Sequence, residues 1–507
     1  MTMHIRNDTI HRLLQRLTLG SAVLALAACA SAPPLSPSSA RITAPQRLDA
    51  PAANEASEGN LDRWWTLWKD PYLDALVDRA LASNADVRVA EAHVRAARAL
   101  VSVAESALYP SIAASGAAWV NAGDTDIDTA LGSVLQPYTS GKTGTGYLIG
   151  LGAQWEPDIF GGRHADVDTA HALAESTASL ADGVRLVVIG DVVENYQQWA
   201  GLQRRLALLG ESIAVARRLT DYASARQRTG QATAMDVAKA QGALASLEAS
   251  RPPIMSLIDA RQRRLAVLAG DLPEQLPKMP TGLQIAVPPP PSGQFPSTIL
   301  GRRPDVRARM LIVEARAARL KSLQADLMPR FGISFMGQNG QIGLSGLPGF
   351  GGSLGLVSVK ASVPIFTGGL LRGRIAAGNA ELAAALAAQD RAMLNALEEV
   401  ETAYGFRAGL DQRLSGLDHA RDLSENRAEL AASFYKAGRV PLGDVLQARL
   451  DALSDLDRME QARIAQGTAT VQLYRAVAGG WGAGASPIAM SGADSSQQHD
   501  SSGSSPQ

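Results

Sequence analysis

The sequence predicts a membrane α+β protein made of two copies of one unit, each a hairpin of strands joined to a very long hairpin of helices. Three observations predict it: a tandem repeat, segments that alternate apolar with small or polar residues, and two long runs without proline. The repeat comes first. Gly230, Asp236 and Val237 recur at Gly438, Asp444 and Val445, and Tyr196, Ala200, Gly201 and Leu202 recur at Tyr404, Ala408, Gly409 and Leu410, all 208 residues apart (444 minus 236). Upstream, Asp86, Val87, Arg88, Ala96, Leu108 and Pro110 recur at Asp305, Val306, Arg307, Ala315, Leu327 and Pro329, a spacing of 219 (329 minus 110). The first copy therefore carries 11 extra residues between the two sets (219 minus 208), as a loop tolerates and a packed helix does not. One structural unit is used twice.

The elements follow in order. Arg6, Arg12 and Arg16 precede the apolar run Leu17 to Ala28, too short for a permanent membrane helix and shaped like a signal peptide. It ends in Leu26-Ala27-Ala28-Cys29, which matches the bacterial lipobox, a signal whose cysteine becomes the acylated first residue. Cys29 is the only cysteine, so no disulfide can form within the chain. The following Ala30-Ser31 lacks the inner-membrane retention aspartate of such lipoproteins, and outer membrane is the expected address. A Pro/Ser/Ala-rich linker comes next. A helical stretch is expected from about Asp70 to Leu108, with Pro71 in its first turn and Pro110 beyond its end.

Then the period changes. Tyr147, Ile149, Leu151, Ala153 and Trp155 fall on one face of a strand, opposite Leu148, Gly150, Gly152 and Gln154. In the second copy Val357, Val359, Ala361 and Val363 alternate with Ser358, Lys360 and Ser362. Shorter strands are expected at Ser111 to Ala118 and Phe331 to Gly337, with Gly-rich loops at Asn121 to Gly146 and Gln338 to Gly352. Four strands of about ten residues suit a tilted barrel crossing. After Ile159-Phe160-Gly161-Gly162 no proline appears until Pro252, and after Pro364-Ile365-Phe366 none until Pro441. A helix from about Ala165 to Arg228 would be about 95 Å long. Leu202, Leu206, Leu209, Ile213, Ala216, Thr220 and Ala223 give it a coiled-coil seam. Each long helix turns at Gly230 or Gly438 and returns from near Asp236 or Asp444.

Composition narrows the function. With 48 basic and 49 acidic residues the net charge is −1, which provides no field for nucleic acid. Aromatics are only 5 %, which suits long, closely packed helices rather than one large core. Four strands cannot close a barrel, and open edges in lipid leave backbone groups unpaired, so the chain must oligomerise.

The carrying motifs are Trp64-Trp65-Thr66-Leu67-Trp68-Lys69-Asp70-Pro71, Asn84-Ala85-Asp86-Val87, Ile-Phe-(x)-Gly-Gly at each strand-to-helix junction, the two Gly-(five residues)-Asp-Val turns, and Gly480-Trp481. In this order, behind a lipobox, they closely resemble the TolC-like outer-membrane factor family in its lipoprotein branch, the OprM/NodT type. The resemblance implies a homotrimer, with four strands per chain in a 12-stranded β-barrel continued by a long periplasmic α-helical barrel. It implies an outer-membrane exit duct of a tripartite efflux system, with a periplasmic membrane-fusion adaptor and an inner-membrane pump as partners and small molecules such as drugs as cargo. The only expected prosthetic group is covalent lipid on Cys29, held in outer-membrane lipid. The domain plan is a signal peptide at 1–28, a lipidated linker at 29–60, a first repeat at 61–285, a Pro-rich linker at 286–293, a second repeat at 294–482 and a disordered tail at 483–507.

By the same resemblance, Asp444 matches a constriction aspartate that forms a ring of three carboxylates at the closed periplasmic end. The family's second acidic ring falls on Gln447, which lowers the expected cation preference. Tyr435 and Asp236 match residues that tie neighbouring hairpins, and Arg439 is placed to pair with Asp236. Gly230 and Gly438 mark the end that meets the adaptor. Asp236 and Asp444 are equally placed to cap the returning helices.

Catalytic readings find little support. Gly141-Lys142-Thr143 resembles the end of a phosphate-binding loop, but Gln136 stands where the loop needs glycine. His164 and His171 lack a third metal ligand, and Glu398, Glu399 and Glu401 read as a solvated face. The rival reading is a coiled-coil structural lipoprotein without a channel, which leaves the alternating strands unexplained.

Overall fold

The computed structural model describes residues 45–49, 61–121, 144–275, 280, 286–344 and 349–478. Cys29, Gly141-Lys142-Thr143, Gly480-Trp481 and the expected tail at 483–507 lie outside them. A short 3-10 turn at Trp64–Trp68 opens the described fold, followed by α1 (Pro71–Ser83), α2 (Ala85–Ser106), β1 (Ser111–Asn121), β2 (Gly144–Trp155) and α3 (Gly162–Arg228). Helices α4 (Ala234–Ala249) and α5 (Arg251–Leu268) return from the first turn. The second copy runs through α6 (Pro296–Arg302), α7 (Pro304–Ala325), β3 (Arg330–Leu344), β4 (Phe350–Ser362), α8 (Leu370–Lys436) and α9 (Leu442–Ala476). Among the described residues no helix is long and apolar enough to cross a membrane.

The stretch expected as one helix from Asp70 to Leu108 is two. Asn84 breaks it with an extended backbone (ψ 135°), and its side-chain oxygen accepts from Asp86 N–H at 2.8 Å and Val87 N–H at 3.2 Å. Its amide nitrogen donates to Leu268 O at 3.0 Å, tying the break to the end of α5. A side chain that can satisfy the first N–H groups of a new helix outweighs helix propensity at that position. Asp70 does the same for α1, accepting from Tyr72 N–H at 2.9 Å.

The four strands form one antiparallel sheet in the order β1-β2-β3-β4, so among the described residues β1 and β4 each leave an edge without a partner. Strand β3 is 15 residues long, and Gln338 to Leu344, expected to be loop, belongs to it. The reason is tertiary pairing. Gly340 lies between Leu148 of β2 and Gly352 of β4, and a Cβ on Gly340 would come within 2.8 Å of Tyr147 O. Glycine disfavours strands through backbone entropy, but pairing on both sides overrides that tendency. The register sorts the faces. Ile149 lies opposite Asn339, Leu151 opposite Ala114, and Phe335 between Ala153 and Val357. One face thus gathers Ile112, Ile149, Leu151, Trp155, Ile333, Phe335, Val357 and Val359, all exposed. The other is mixed, carrying Ser115, Gln154, Gln338, Lys360 and the bonded pair Ser334 and Ser358 (2.6 Å) beside Leu148, Met336, Leu354 and Leu356.

Helices α3 and α8 are each 67 residues long, about 100 Å at 1.5 Å per residue. Both start from glycines with left-handed backbone, Gly161 (φ 75°) and Gly369 (φ 90°), a conformation open to glycine at little cost. The expected seam on α3 faces inward, with Leu202, Ile213 and Ala216 buried. The returning limbs differ. Helix α9 runs 35 residues without a break, whereas α4 and α5 part at Ser250, just before Pro252 and Pro253. A proline pair in the first turn of α5 removes the N–H groups a continuous helix would use.

The main core sits midway along the long helices. Trp64 is fully buried and stacks on Tyr474 with ring centroids 5.1 Å apart and 6° between planes. The repeat-equivalent tyrosines each hold the segment that leads into their own copy. Tyr196 OH donates to Asp70 Oδ2 at 2.6 Å, and Tyr404 OH donates to Pro291 O at 2.6 Å. Three carbonyls of the proline run are taken this way, with Arg407 donating to Pro288 O (2.9 Å) and Tyr474 OH to Pro289 O (3.3 Å). Prolines offer no N–H, so their carbonyls are the only backbone handle for fixing the segment. Burial, reinforced by the Asp70 carboxylate, pushes the Tyr196 hydroxyl well above the ordinary tyrosine range, and it remains a donor. Tyr196→Phe is expected to lower unfolding stability by about 1–3 kcal/mol, the usual cost of a buried acceptor left unmatched. Denaturant unfolding of the purified variant checks this, and an unchanged midpoint contradicts it.

Candidate functional site

The two helical turns share one backbone design. At the first, Gly230 has φ 73°, its N–H bonds Gln227 O at 3.0 Å, and Gln231 N–H bonds Arg226 O at 2.8 Å. At the second, Gly438 has φ 71°, its N–H bonds Tyr435 O at 2.9 Å, and Arg439 N–H bonds Phe434 O at 2.8 Å. This is the left-handed glycine cap that closes a helix, and it answers for both glycines.

The aspartates that follow are not used alike. Each is the third residue of its returning helix. Asp236 Oδ2 accepts from both the N–H and the hydroxyl of Thr233 at 2.8 Å, and Thr233 Oγ1 accepts from Asp236 N–H at 3.2 Å. That reciprocal capping box holds the Asp236 carboxyl below the usual carboxylate range, the Thr233 backbone bond being the largest cause. In the second turn Pro441 occupies the capping position and has no side-chain acceptor, so Asp444 makes no capping bond and is exposed. The capping role therefore belongs to Asp236, from inside the helix, and not to Asp444.

Around Asp444 the other expected residues lie on the same end. Gln447 Nε2 donates to Asp451 Oδ1 at 2.9 Å, and Asp451 Oδ2 pairs with Arg427 at 2.6 Å, so the acid one turn further on is already neutralised. Tyr435 and Arg439 are exposed. Within one protomer Arg439 does not pair with Asp236, whose carboxylate serves Thr233 instead.

Elsewhere, the acidic run on α8 is not simply solvated. Glu399 pairs with the buried Arg303 at 2.7 Å, and Glu401 accepts from Asp49 N–H at 2.7 Å. Arg303 also pairs with Asp305 at 2.8 Å and donates to Ala476 O at 3.1 Å. Burial works against the Asp305 charge, but the Arg303 bonds outweigh it and hold that carboxyl low. His164 Nδ1 meets Asp158 at 2.6 Å and His171 meets Glu105 at 3.5 Å, and among the described residues no cluster could hold a metal. Arg303 and Arg407 were not singled out by sequence. Arg407 lies three residues past the repeated Tyr404, and that spacing on a helix was the one available sign.

Comparison with known proteins places this geometry. The family model described as "Outer membrane efflux protein" matches residues 76–271 and 295–479. The chain belongs to that family. It is 27 % identical over 466 residues to the pyoverdine export outer membrane protein OpmQ of Pseudomonas putida, covering 90 % of this chain and 96 % of the relative. It is 31 % identical over 388 residues to the fusaric acid resistance protein FusA of Burkholderia cepacia, covering 72 % and 69 %. The solved structure of the outer-membrane channel OprN is similar at TM-score 0.74 and 27 % identity, covering 87 % of this chain and 98 % of that one. The protein is thus a TolC-like outer-membrane factor. It is an efflux channel of the outer membrane that extends into the periplasm, with its four strands in the membrane part and its long helices below.

Proposed function

We propose that three copies of this chain assemble into a 12-stranded barrel continued by a helical tunnel, the exit duct of a tripartite efflux system. The observation that carries the assembly is the four-stranded sheet with both edges free and one apolar face. Lipid cannot satisfy those edge groups, and neighbouring copies can. The apolar face meets lipid and the Ser/Gln/Lys face lines the lumen. The partners are a periplasmic membrane-fusion adaptor, seated toward the turns at Gly230 and Gly438, and an inner-membrane pump. Cargo is small organic molecules, the class to which the relatives' pyoverdine and fusaric acid belong. The duct performs no catalysis and needs no cofactor beyond lipid.

The gate reading rests on the unused carboxylate. Three copies would bring three Asp444 carboxylates toward the axis, a ring that attracts cations and repels anions. Gln447 adds no second ring. Tyr435 and Arg439, exposed beside the turn, are free to tie to the next copy. In planar bilayers, Asp444→Asn is expected to lower cation over anion permeability, and Tyr435→Phe to raise conductance. Recordings of both variants identical to the unmodified channel contradict the gate.

Cys29 is proposed to carry the lipid that holds the N-terminal segment to the outer membrane, each buried methylene adding roughly 0.8 kcal/mol. Radiolabelled palmitate is expected in the natural chain and absent from Cys29→Ser. Equal labelling of the variant rules the anchor out.

A further inference from the structure

The β3–β4 hairpin changes polarity partway along. In the half next to the helices, Ile333, Phe335, Val357 and Val359 lie on the apolar face, while Ser334, Ser358 and Lys360 lie on the mixed face that lines the lumen of the proposed barrel. From the directly paired Met336 and Leu356 toward the hairpin ends, the order reverses. Asn339, Gln341 and Ser353 then fall on the outward face, where Asn339 Nδ2 donates to Ser353 Oγ at 2.8 Å. Met336, Ile342, Leu354 and Leu356 fall on the lumen face. The strands leave the helices at Arg330 and Ser362, so the reversed half is the one nearer the cell exterior.

Strands β1 and β2 extend this apolar lining, and glycines shape it. Trp119 pairs directly with Gly146, and its ring lies over that glycine. Leu148 pairs with Gly340, where a Cβ would lie 2.9 Å from Leu148 Cδ1. Each large side chain therefore lies flat on the sheet and turns its broad side to the lumen. Trp119 is 41 % exposed and Leu354 is 59 % exposed. Ser115 and Gln338 interrupt the lining, and the Gln338 amide is turned onto Met336 Sδ at 3.3 Å. Among the described residues of the sheet, the charged positions on this face are Arg330 and Lys360, both at the helix end.

A lumen that held only water would gain nothing from large apolar side chains, since exposing them to water is unfavourable and barrel interiors are ordinarily polar. A contiguous exposed apolar patch marks a binding surface. Inside the wall of an efflux channel, the molecule that reaches such a patch is cargo. We propose that Trp119, Leu148, Met336, Leu354 and Leu356 form an apolar collar that binds the aromatic or aliphatic body of organic cargo near the outer mouth. Without a charged group the collar holds cargo by area and by stacking on Trp119, so it favours aromatic molecules of either charge. Weak contact of this kind lets cargo leave, as conduction requires. The proposal rests on the reading of the sheet as part of a shared barrel and adds the class of molecule its lumen prefers.

Planar-bilayer recordings on the full lipidated channel test it. The probes are 4-nitrophenyl glucoside and maltose, uncharged and similar in size, added on the barrel side. The aromatic probe is expected to reduce the current of the unmodified channel at about tenfold lower concentration than maltose, the discrimination one aromatic contact supplies. Trp119→Gln, and separately Leu354→Gln with Leu356→Gln, are expected to bring the two probes together. The changes sit on β1 and β4, so loss of assembly in one variant leaves the other to decide. Equal action of both probes on an unmodified channel that conducts overturns the collar and leaves the duct standing, and so does a tenfold preference that survives in the variants. A chain that does not conduct overturns duct and collar together.

Discussion

Inside a bilayer every backbone N–H and C=O must find a partner in the protein, and β1 and β4 each present an edge that has none. The rest of the architecture follows from that constraint. Four strands per chain leave a curved, open sheet, so the barrel has to be shared. Once it is shared, the helices below it inherit the same circular order. The apolar face gathered by the register, with Ile149, Leu151, Phe335 and Val357 together, and the mixed face opposite, where Ser115, Gln154, Gln338 and Lys360 sit, fit a wall with lipid on one side and water on the other.

The duplicated unit is put to unequal use. Tyr196 and Tyr404 occupy the same place in the repeat and make bonds of the same length, but one holds the Asp70 carboxylate and the other a proline carbonyl. Asp236 closes a capping box with Thr233, while Asp444, after Pro441, is left unengaged. One returning limb is broken at Ser250 and the other is continuous. A single helix-turn design therefore yields one hairpin whose acid stabilises the turn and another whose acid makes no capping bond. The residue at the capping position, Thr233 in one turn and Pro441 in the other, accompanies that difference.

Much of this was legible in the sequence because its causes are local. Absence of proline between Pro157 and Pro252 and between Pro364 and Pro441, glycine at 230 and 438, and strict alternation around Ile149 and Val359 each act through backbone geometry that neighbours cannot easily reverse. What was not legible depends on partners distant in the chain. The break at Asn84 is secured by Leu268, the extension of β3 through Gly340 by strands on both sides, and the engagement of Glu399 by Arg303. At the candidate gate, the positions of Asp236 and Asp444 were readable, but their division of labour required the side-chain bonds of Thr233.

The central claim is that the open sheet closes with copies of itself, and the number of copies is the quantity that decides it. Native mass spectrometry of the detergent-extracted protein is the most direct measurement. The account predicts one species of three chains, about 160 kDa from three times the 53.2 kDa of the full sequence. A stable species of one, two or four chains that still conducts in bilayers would contradict it.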